Sequence, residues 1–265
     1  MSIETLLPGV VDAAHAAGAL IADRFGARQT GSAKGPGDYV TATDHASEEA
    51  VRDALAAIAP EVPFFGEEQG GTRGDLGWIV DPLDGTANFI HGFPAVGVSI
   101  ALVEAGRPVL GVVHAPMLGT TWTAAEGHGA WRDGERLSVS STDPSQAICG
   151  TGFPFKAKDR LATYMAVFDA AFTTFEDLRR PGAATLDLAW VAAGVFDGFF
   201  ELALGPWDMA AGAVLIREAG GVVTDWSGDP DAWLDGGDIL AGPPAVHDAL
   251  ADMAGAALQL ENATS

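Results

Sequence analysis

The chain has 265 residues, 48% hydrophobic and 19% charged, a balance that supports an ordered core and excludes intrinsic disorder. A formal net charge of −22 argues against a nucleic-acid or anionic-membrane surface, both of which need clustered Lys and Arg; an anionic ligand would need local neutralisation, for which cations held on carboxylates suffice. The single cysteine, Cys149, excludes an intrachain disulfide and a thiolate-rich metal site, and it fits a reducing cytoplasm.

In chain order, Leu7, Val11, Ala14, Ile21 and Phe25 fall on one helical face, interspersed with Glu4, Asp12 and Asp23. That pattern predicts an amphipathic helix and not a signal or membrane-spanning segment. RQTGSAKGPGDY (28–39) reads as a Gly-rich loop, and TATDHASEEAVRDALAAI (41–58) as a second helix capped by Thr43 or Asp44. PFFGEEQGGTRG (63–74) is a short apolar strand running into Glu67 and Glu68. GWIV (77–80) leads into DPLDGTANF, and four further apolar segments between 94 and 140 alternate like antiparallel strands, with an Asp133-Gly134 hairpin turn.

Past about residue 143 the pattern changes to alternating strand and helix. AICGTGF, TFEDLRR, GFFELAL, GVVTDWSG and DILAG read as strands. KDRLATYMAVFDAAF, AATLDLAWVAAGVF, PWDMAAGAVLIREAGG and a segment from Ala245 read as helices, with fraying expected at 262–265. The expectation is one domain over 1–265, of α/β layered (α+β) class. Its lobes are 1–143, mostly antiparallel sheet, and 144–265, a smaller α/β unit.

Carboxylates cluster at the ends of these elements. Glu67 and Glu68 follow one strand, Asp81 and Asp84 end another, Asp44 sits at a helix entrance and Asp208 in a first helical turn. Hard oxygen donors of this kind suit Mg2+, and the DGTAN stretch adds backbone N–H groups at a helix start for phosphate. Together they form a minimal kit for metal-assisted phosphoester hydrolysis. Taken singly the residues are less telling: D-P-x-D-G-T also describes an ordinary turn, Glu67 and Glu68 a solvated one, and Asp208 a helix cap.

DPLDGTANF followed by WDMAAGAVLIREAGG, with GEE upstream and VTATD before it, resembles the inositol monophosphatase family of Mg2+-dependent, lithium-sensitive phosphatases. The blocks run in family order from Lys34 to DILAG. The resemblance implies an αβαβα sandwich, a homodimer and two Mg2+ ions, with a third, weaker site near Glu67. It assigns Glu67, Asp81 and the Leu83 carbonyl to one metal, and Asp81, Asp84 and Asp208 to the other. Gly85 and Thr86 would hold phosphate through their amides, while Thr86 paired with Asp44 would orient the water that attacks phosphorus, beside Glu67. Asn88 and Glu68 would support these groups. Gly182, Ala183, Ala184 and Glu201, with Asp84 and Asp208, would contact a small phosphorylated polyol or sugar. Pro181, which lacks an N–H and restricts Arg180, departs from the pattern at the substrate rim, and the short loop at Lys34 leaves that residue without a role.

The reaction this implies is hydrolysis of inositol 1-phosphate in the cytoplasm, without nucleic-acid or membrane partners. Fructose 1,6-bisphosphatase, histidinol-phosphate phosphatase and nucleotide 3'-phosphatase activities are the alternatives within the chemistry. A non-catalytic metal-binding regulatory protein is the alternative outside it.

Overall fold

The computed structural model describes residues 3–27, 31–35 and 38–264. The helices are α1 (Ile3–Arg24), α2 (Ala42–Ile58), α3 (Thr86–His91), α4 (Leu161–Thr174), α5 (Ala184–Ala192), α6 (Pro206–Glu218), α7 (Trp233–Gly236) and α8 (Pro244–Thr264). The first ten strands are β1 (Ser32–Gly35), β2 (Asp38–Val40), β3 (Phe64–Gly66), β4 (Gly70–Gly71), β5 (Gly77–Asp84), β6 (Gly97–Glu104), β7 (Arg107–Ala115), β8 (Thr120–Ala125), β9 (Gly129–Arg132) and β10 (Glu135–Arg136). They are followed by β11 (Ile148–Thr151), β12 (Asp177–Arg179), β13 (Gly198–Glu201), β14 (Val222–Thr224) and β15 (Ile239–Gly242).

An eight-stranded sheet of order β10-β9-β8-β7-β6-β5-β3-β4 is antiparallel except where β3 joins β5. A five-stranded sheet of order β12-β11-β13-β15-β14 is parallel on its β12-β11-β13 side and antiparallel beyond. Alternation along each strand then builds the layers. Trp78, Val80, Val98, Ile100 and Leu102 face Val10, Ala17, Val51 and Leu55 of α1 and α2. Their neighbours Ile79, Ala101 and Val103 face the other way, onto Leu186, Leu188, Met209 and Leu215 of α5 and α6. Phe199, Ile239 and Ala241 close that central core from the smaller sheet. Outside it, Cys149, Phe200 and Leu240 meet Tyr164, Val167, Leu250 and Ala254 of α4 and α8. The result is the αβαβα sandwich that the resemblance implied.

Several local expectations need correction. The inner face of α1 is Leu6, Val10, Ala13, Ala14, Ala17 and Ile21, whereas Leu7, Val11 and Phe25 are only partly buried. The helix lies beside α2 on the sheet, packs against both, and so buries more than one stripe. By length and composition α1 could cross a membrane; here its inner face is covered by protein. The cap of α2 is Thr41, which accepts from Thr43 N, while Asp44 sits three residues in and closes a capping box. Within the expected Gly-rich loop β1 and β2 pair as a hairpin; 28–30 and 36–37 lie outside the described residues. Helix α8 continues through Thr264, and Ser265 of the expected frayed end also lies outside them. The segment Leu202–Leu204 leaves the expected strand, with Ala203 at φ 60, and α7 was not foreseen.

The central layer is tight where α6 crosses β7. A Cβ on Gly111 would lie 2.9 Å from Ala211 Cα and 2.5 Å from its carbonyl oxygen, both backbone atoms that a rotamer change cannot move. Gly111→Ala is therefore expected to destabilise the protein by about 1–3 kcal/mol. Urea unfolding measures this, and an unchanged midpoint would contradict the close approach.

Candidate active site

Strand β5 delivers two carboxylates to one place. Asp81 follows Ile79 by two residues, so it shares the face that looks onto α6, and it is 1% exposed. Asp81 pairs with Ser99 in regular register, but the ladder is irregular between Asp81 and Asp84, where Pro82 has no N–H to donate. The Asp81 Oδ1 accepts from Leu83 N at 3.0 Å. The Asp84 Oδ2 accepts from Thr185 N at 2.8 Å and Thr185 Oγ1 at 2.7 Å, which ties the motif to α5. Pro206 opens α6, and Gly205 N donates to Asp208 Oδ2 at 2.6 Å, fixing the third carboxylate in the first turn.

Carboxylate oxygens of Asp81, Asp84 and Asp208 lie within 4.8 Å of one another. Burial raises the Asp81 carboxyl well above the ordinary 3.8, with repulsion from Glu67, Asp84 and Asp208 added to it. Burial likewise pushes Asp84 up to about 6, opposed by the Thr185 hydrogen bonds. It pushes Asp208 up to about 6 with the help of Asp84, and Lys156 offsets part of the effect. Three converging hard-oxygen donors with this much uncompensated negative charge fit a divalent cation.

Glu67 lines the same cavity but stands outside that tight trio; Lys34 Nζ lies 3.4 Å from its Oε1 and 2.6 Å from Glu68 Oε1. Lys34, left without a role by the sequence, thus bridges both glutamates of the GEE turn. Burial pushes Glu68 up to about 7, opposed by its hydrogen bond to Lys34.

The Thr86 hydroxyl donates to Asp44 Oδ1 at 2.8 Å, with the Leu83 carbonyl a longer 3.2 Å away. Asp44 Oδ2 is held by Thr41 N at 2.8 Å and Thr41 Oγ1 at 2.5 Å. With its proton committed to Asp44, the Thr86 oxygen keeps lone pairs with which to accept a hydrogen bond from water. Gly85, at φ 84, brings the chain to the cavity edge in a conformation that favours glycine, and a Cβ there would meet Ala95 O at 2.7 Å.

Glu67, Asp81, Leu83, Asp84, Gly85, Thr86 and Asp208 line one cavity of about 160 Å³, together with Gly182, Ala184 and Glu201, while Asp44 holds Thr86 from outside that lining. Ala183, expected to contact substrate, is instead fully buried beneath the rim and does not line the cavity; it caps α5 and packs in the central core. The Asn88 amide lies within hydrogen-bond reach of the carbonyls of Ala95, Pro181 and Gly182, so it ties α3 to the rim where Pro181 departs from the expected pattern. Glu201 follows Phe199 by two residues and so looks inward; burial, reinforced by Asp208, pushes it up to about 8.

Sequence reasoning missed Lys156 and Arg180 on the cavity wall, the latter 5.7 Å above the rings of Phe153 and Phe155. It also missed Asp187, 1% exposed, whose Oδ1 has no hydrogen-bond partner and whose carboxyl burial holds well above its ordinary range. Lys156 sits in a turn and Arg180 just past the end of β12, so the reach of both depends on tertiary packing.

Carboxyls with raised folded values bind protons more tightly in the native state than in the unfolded chain. Stability of the metal-free protein therefore falls as pH rises from about 4 through 6 to 8, the range spanned by Asp84, Asp208, Glu68 and Glu201. A saturating divalent cation should reverse the loss, by about 2.7 kcal/mol at a hundredfold excess over its dissociation constant. Thermal midpoints at pH 5 and pH 8, with and without Mg2+, test this; a midpoint unmoved by pH and by metal would contradict it.

Comparison with known proteins places the chain in a family and a fold. The model of the inositol monophosphatase family matches residues 2–259. The chain is 44% identical over 249 residues to the Nus factor SuhB of Escherichia coli K12, covering 92% of this chain and 93% of that one. It is 37% identical over 247 residues to a protein of Aquifex aeolicus named fructose-1,6-bisphosphatase/inositol-1-monophosphatase, covering 91% and 92%. The crystal structure of the extragenic suppressor protein SuhB from Bartonella henselae superposes with a TM-score of 0.89 at 37% identity, over 93% of this chain and 97% of that one. With the family model spanning nearly the whole chain and the same fold in a solved relative, this chain belongs to the inositol monophosphatase family.

Proposed function

We propose that this chain is a Mg2+-dependent phosphomonoesterase whose substrate is inositol 1-phosphate or a closely related polyol phosphate. The observation that carries the reading is the trio Asp81, Asp84 and Asp208 sharing one cavity with Thr86, whose hydroxyl is held from behind by the buried Asp44. Asp81, Asp84 and Asp208 would hold one cation, and Glu67, Asp81 and the Leu83 carbonyl another, with a weaker third near Glu67. Cations bound there supply the positive charge that an approaching phosphate and a departing alkoxide require.

The protein's own groups do the rest. Gly85 and Thr86 turn backbone N–H groups toward the phosphate. Asp44 fixes the Thr86 hydroxyl so that its oxygen accepts from the attacking water and aims it at phosphorus. Glu201 reads hydroxyl groups of the alcohol, with Gly182 and Ala184 shaping the rim. Homodimerisation, lithium sensitivity and a cytoplasmic setting belong to the same proposal.

Lys156 and Arg180 on the wall favour one second reading, a sugar bisphosphate whose far phosphate meets those cations. The name of the Aquifex relative joins both activities. Phosphate release from inositol 1-phosphate, fructose 1,6-bisphosphate, histidinol phosphate and adenosine 3',5'-bisphosphate, each with and without Mg2+, separates these readings. Cation binding without turnover on any of them would favour a regulatory protein.

Asp81→Asn is expected to abolish Mg2+-dependent turnover while the chain still folds, because it removes the charge shared by both cation sites. Near-normal activity in a folded variant would sink the two-cation assignment. At pH 9, above the Glu201 value of about 8, Glu201→Gln is expected to lower kcat/KM for inositol 1-phosphate about ten- to a hundredfold, the worth of a hydrogen bond to a charged group. An aryl phosphate, which lacks those hydroxyls, should be little affected. Equal losses on both substrates would make Glu201 a support of the cation site.

A further inference from the structure

Helix α2 carries its buried residues in two halves. Val51 and Leu55 enter the apolar core, while Asp44, Ser47 and Glu48, one turn earlier on the same face, are at most 1% exposed and polar. Each polar residue grips a different segment of the site. Asp44 takes the Thr86 hydroxyl, Ser47 Oγ donates to Pro82 O at 2.6 Å, and Glu48 takes the turn after Glu67. Glu48 Oε2 accepts from Glu68 N at 2.8 Å, and Oε1 accepts from Gln69 N at 3.1 Å.

Arg52, one turn on, completes this clamp. Its Nη2 donates to Glu48 Oε1 at 3.0 Å, its Nη1 donates to Gln69 Oε1 at 3.1 Å, and its guanidinium lies 4.5 Å from the centre of the Phe64 ring. The turn is moulded around the buried carboxylate, because Gly66 has no room for a Cβ where the Glu48 carboxyl sits. Glu48 itself does not line the cavity. Its two oxygens meet three donors, so the site is built for a carboxylate: a neutral amide would aim its NH2 group at a backbone N–H or at Arg52.

We infer that Glu48, neutralised by Arg52, is the positioning residue that holds Glu67 at the cation site. This inference rests on the proposed phosphatase reading and extends it to a residue outside the cavity. Glu67 N itself donates to Val80 O at 3.1 Å, so without the clamp the strand end stays in place while the turn beyond it loosens and the Glu67 carboxylate is drawn toward Lys34 Nζ, 3.4 Å away.

Calorimetric titration with Mg2+ tests the inference on wild type, Glu48→Gln, Arg52→Met and the control Glu49→Gln, a neighbouring exposed carboxylate on the same helix. Aryl-phosphate hydrolysis is followed over the same Mg2+ range. Glu48→Gln should weaken cation affinity about tenfold, as loss of a group supporting a metal ligand does. The Mg2+ concentration for half-maximal rate should rise by the same factor, and the rate at saturating Mg2+ should be little changed. Arg52→Met should act in the same direction and less, and Glu49→Gln should leave affinity unchanged. Unaltered affinity in folded Glu48→Gln, or a loss of saturated rate at unaltered affinity, would overturn the inference. Should Glu48→Gln fail to fold, Arg52→Met decides, and unaltered affinity there overturns it equally. A wild type that binds no divalent cation overturns the phosphatase reading and this inference together, whereas failure in the variants alone overturns only the inference.

Discussion

The constraint on which the site depends is the confinement of Asp81, Asp84 and Asp208 within 4.8 Å in a region that water reaches poorly. Carboxylates so placed repel one another and lose hydration, and each is pushed upward in pKa as a result. An isolated loop would relieve such strain by moving. Here each carboxylate is anchored in a different rigid element: Asp81 on a strand flanked on both sides, Asp84 by two donors from Thr185, and Asp208 by the first turn of α6. The surrounding layers hold the charges together, and the cluster in turn stores an affinity for cations.

The five layers divide the work. The central helices α5 and α6 face both sheets, so their first turns lie where β5 from one sheet and β13 from the other end. That is why residues as distant in sequence as Asp84, Thr185, Glu201 and Asp208 meet. Helix α2, on the opposite face of the larger sheet, reaches the same place with Asp44, Ser47 and Glu48 before turning apolar toward the core. Thus β5 is gripped from both faces: by Ser47 on Pro82 from one side and by Thr185 on Asp84 from the other.

Much of this was legible in the sequence where function rests on local pattern. D-P-x-D-G-T and P-W-D brought forward Asp81, Asp84, Thr86 and Asp208, which share one cavity, and the pairing of Thr86 with Asp44, which the family resemblance implied and no local pattern shows, is present in the structure. Binary alternation gave β5 to β10 of the larger sheet, including the Asp133-Gly134 turn, both of whose residues have positive φ, but not the two-residue edge strand β4. What stayed hidden depended on tertiary approach. Ala183 looked like part of the rim because its neighbours are, yet its own methyl turns into the core. Lys156 and Arg180 follow no period, so only the folded chain shows that they share a wall with Glu201. Glu48 was the nearest miss: a Glu four residues after Asp44, with Arg52 four further on, marks a charged stripe on the buried face of a helix. The same spacing read alone describes an exposed ion pair.

The central claim is that the buried carboxylates hold protons in the absence of cations and exchange them for metal. Titration calorimetry with Mg2+ in buffers of different ionisation enthalpy counts those protons directly. At pH 6, near the values of Asp84 and Asp208, binding should release protons, and the release should diminish as pH is raised toward 9. Binding that releases no protons at pH 6, or no binding at any pH, would contradict the account.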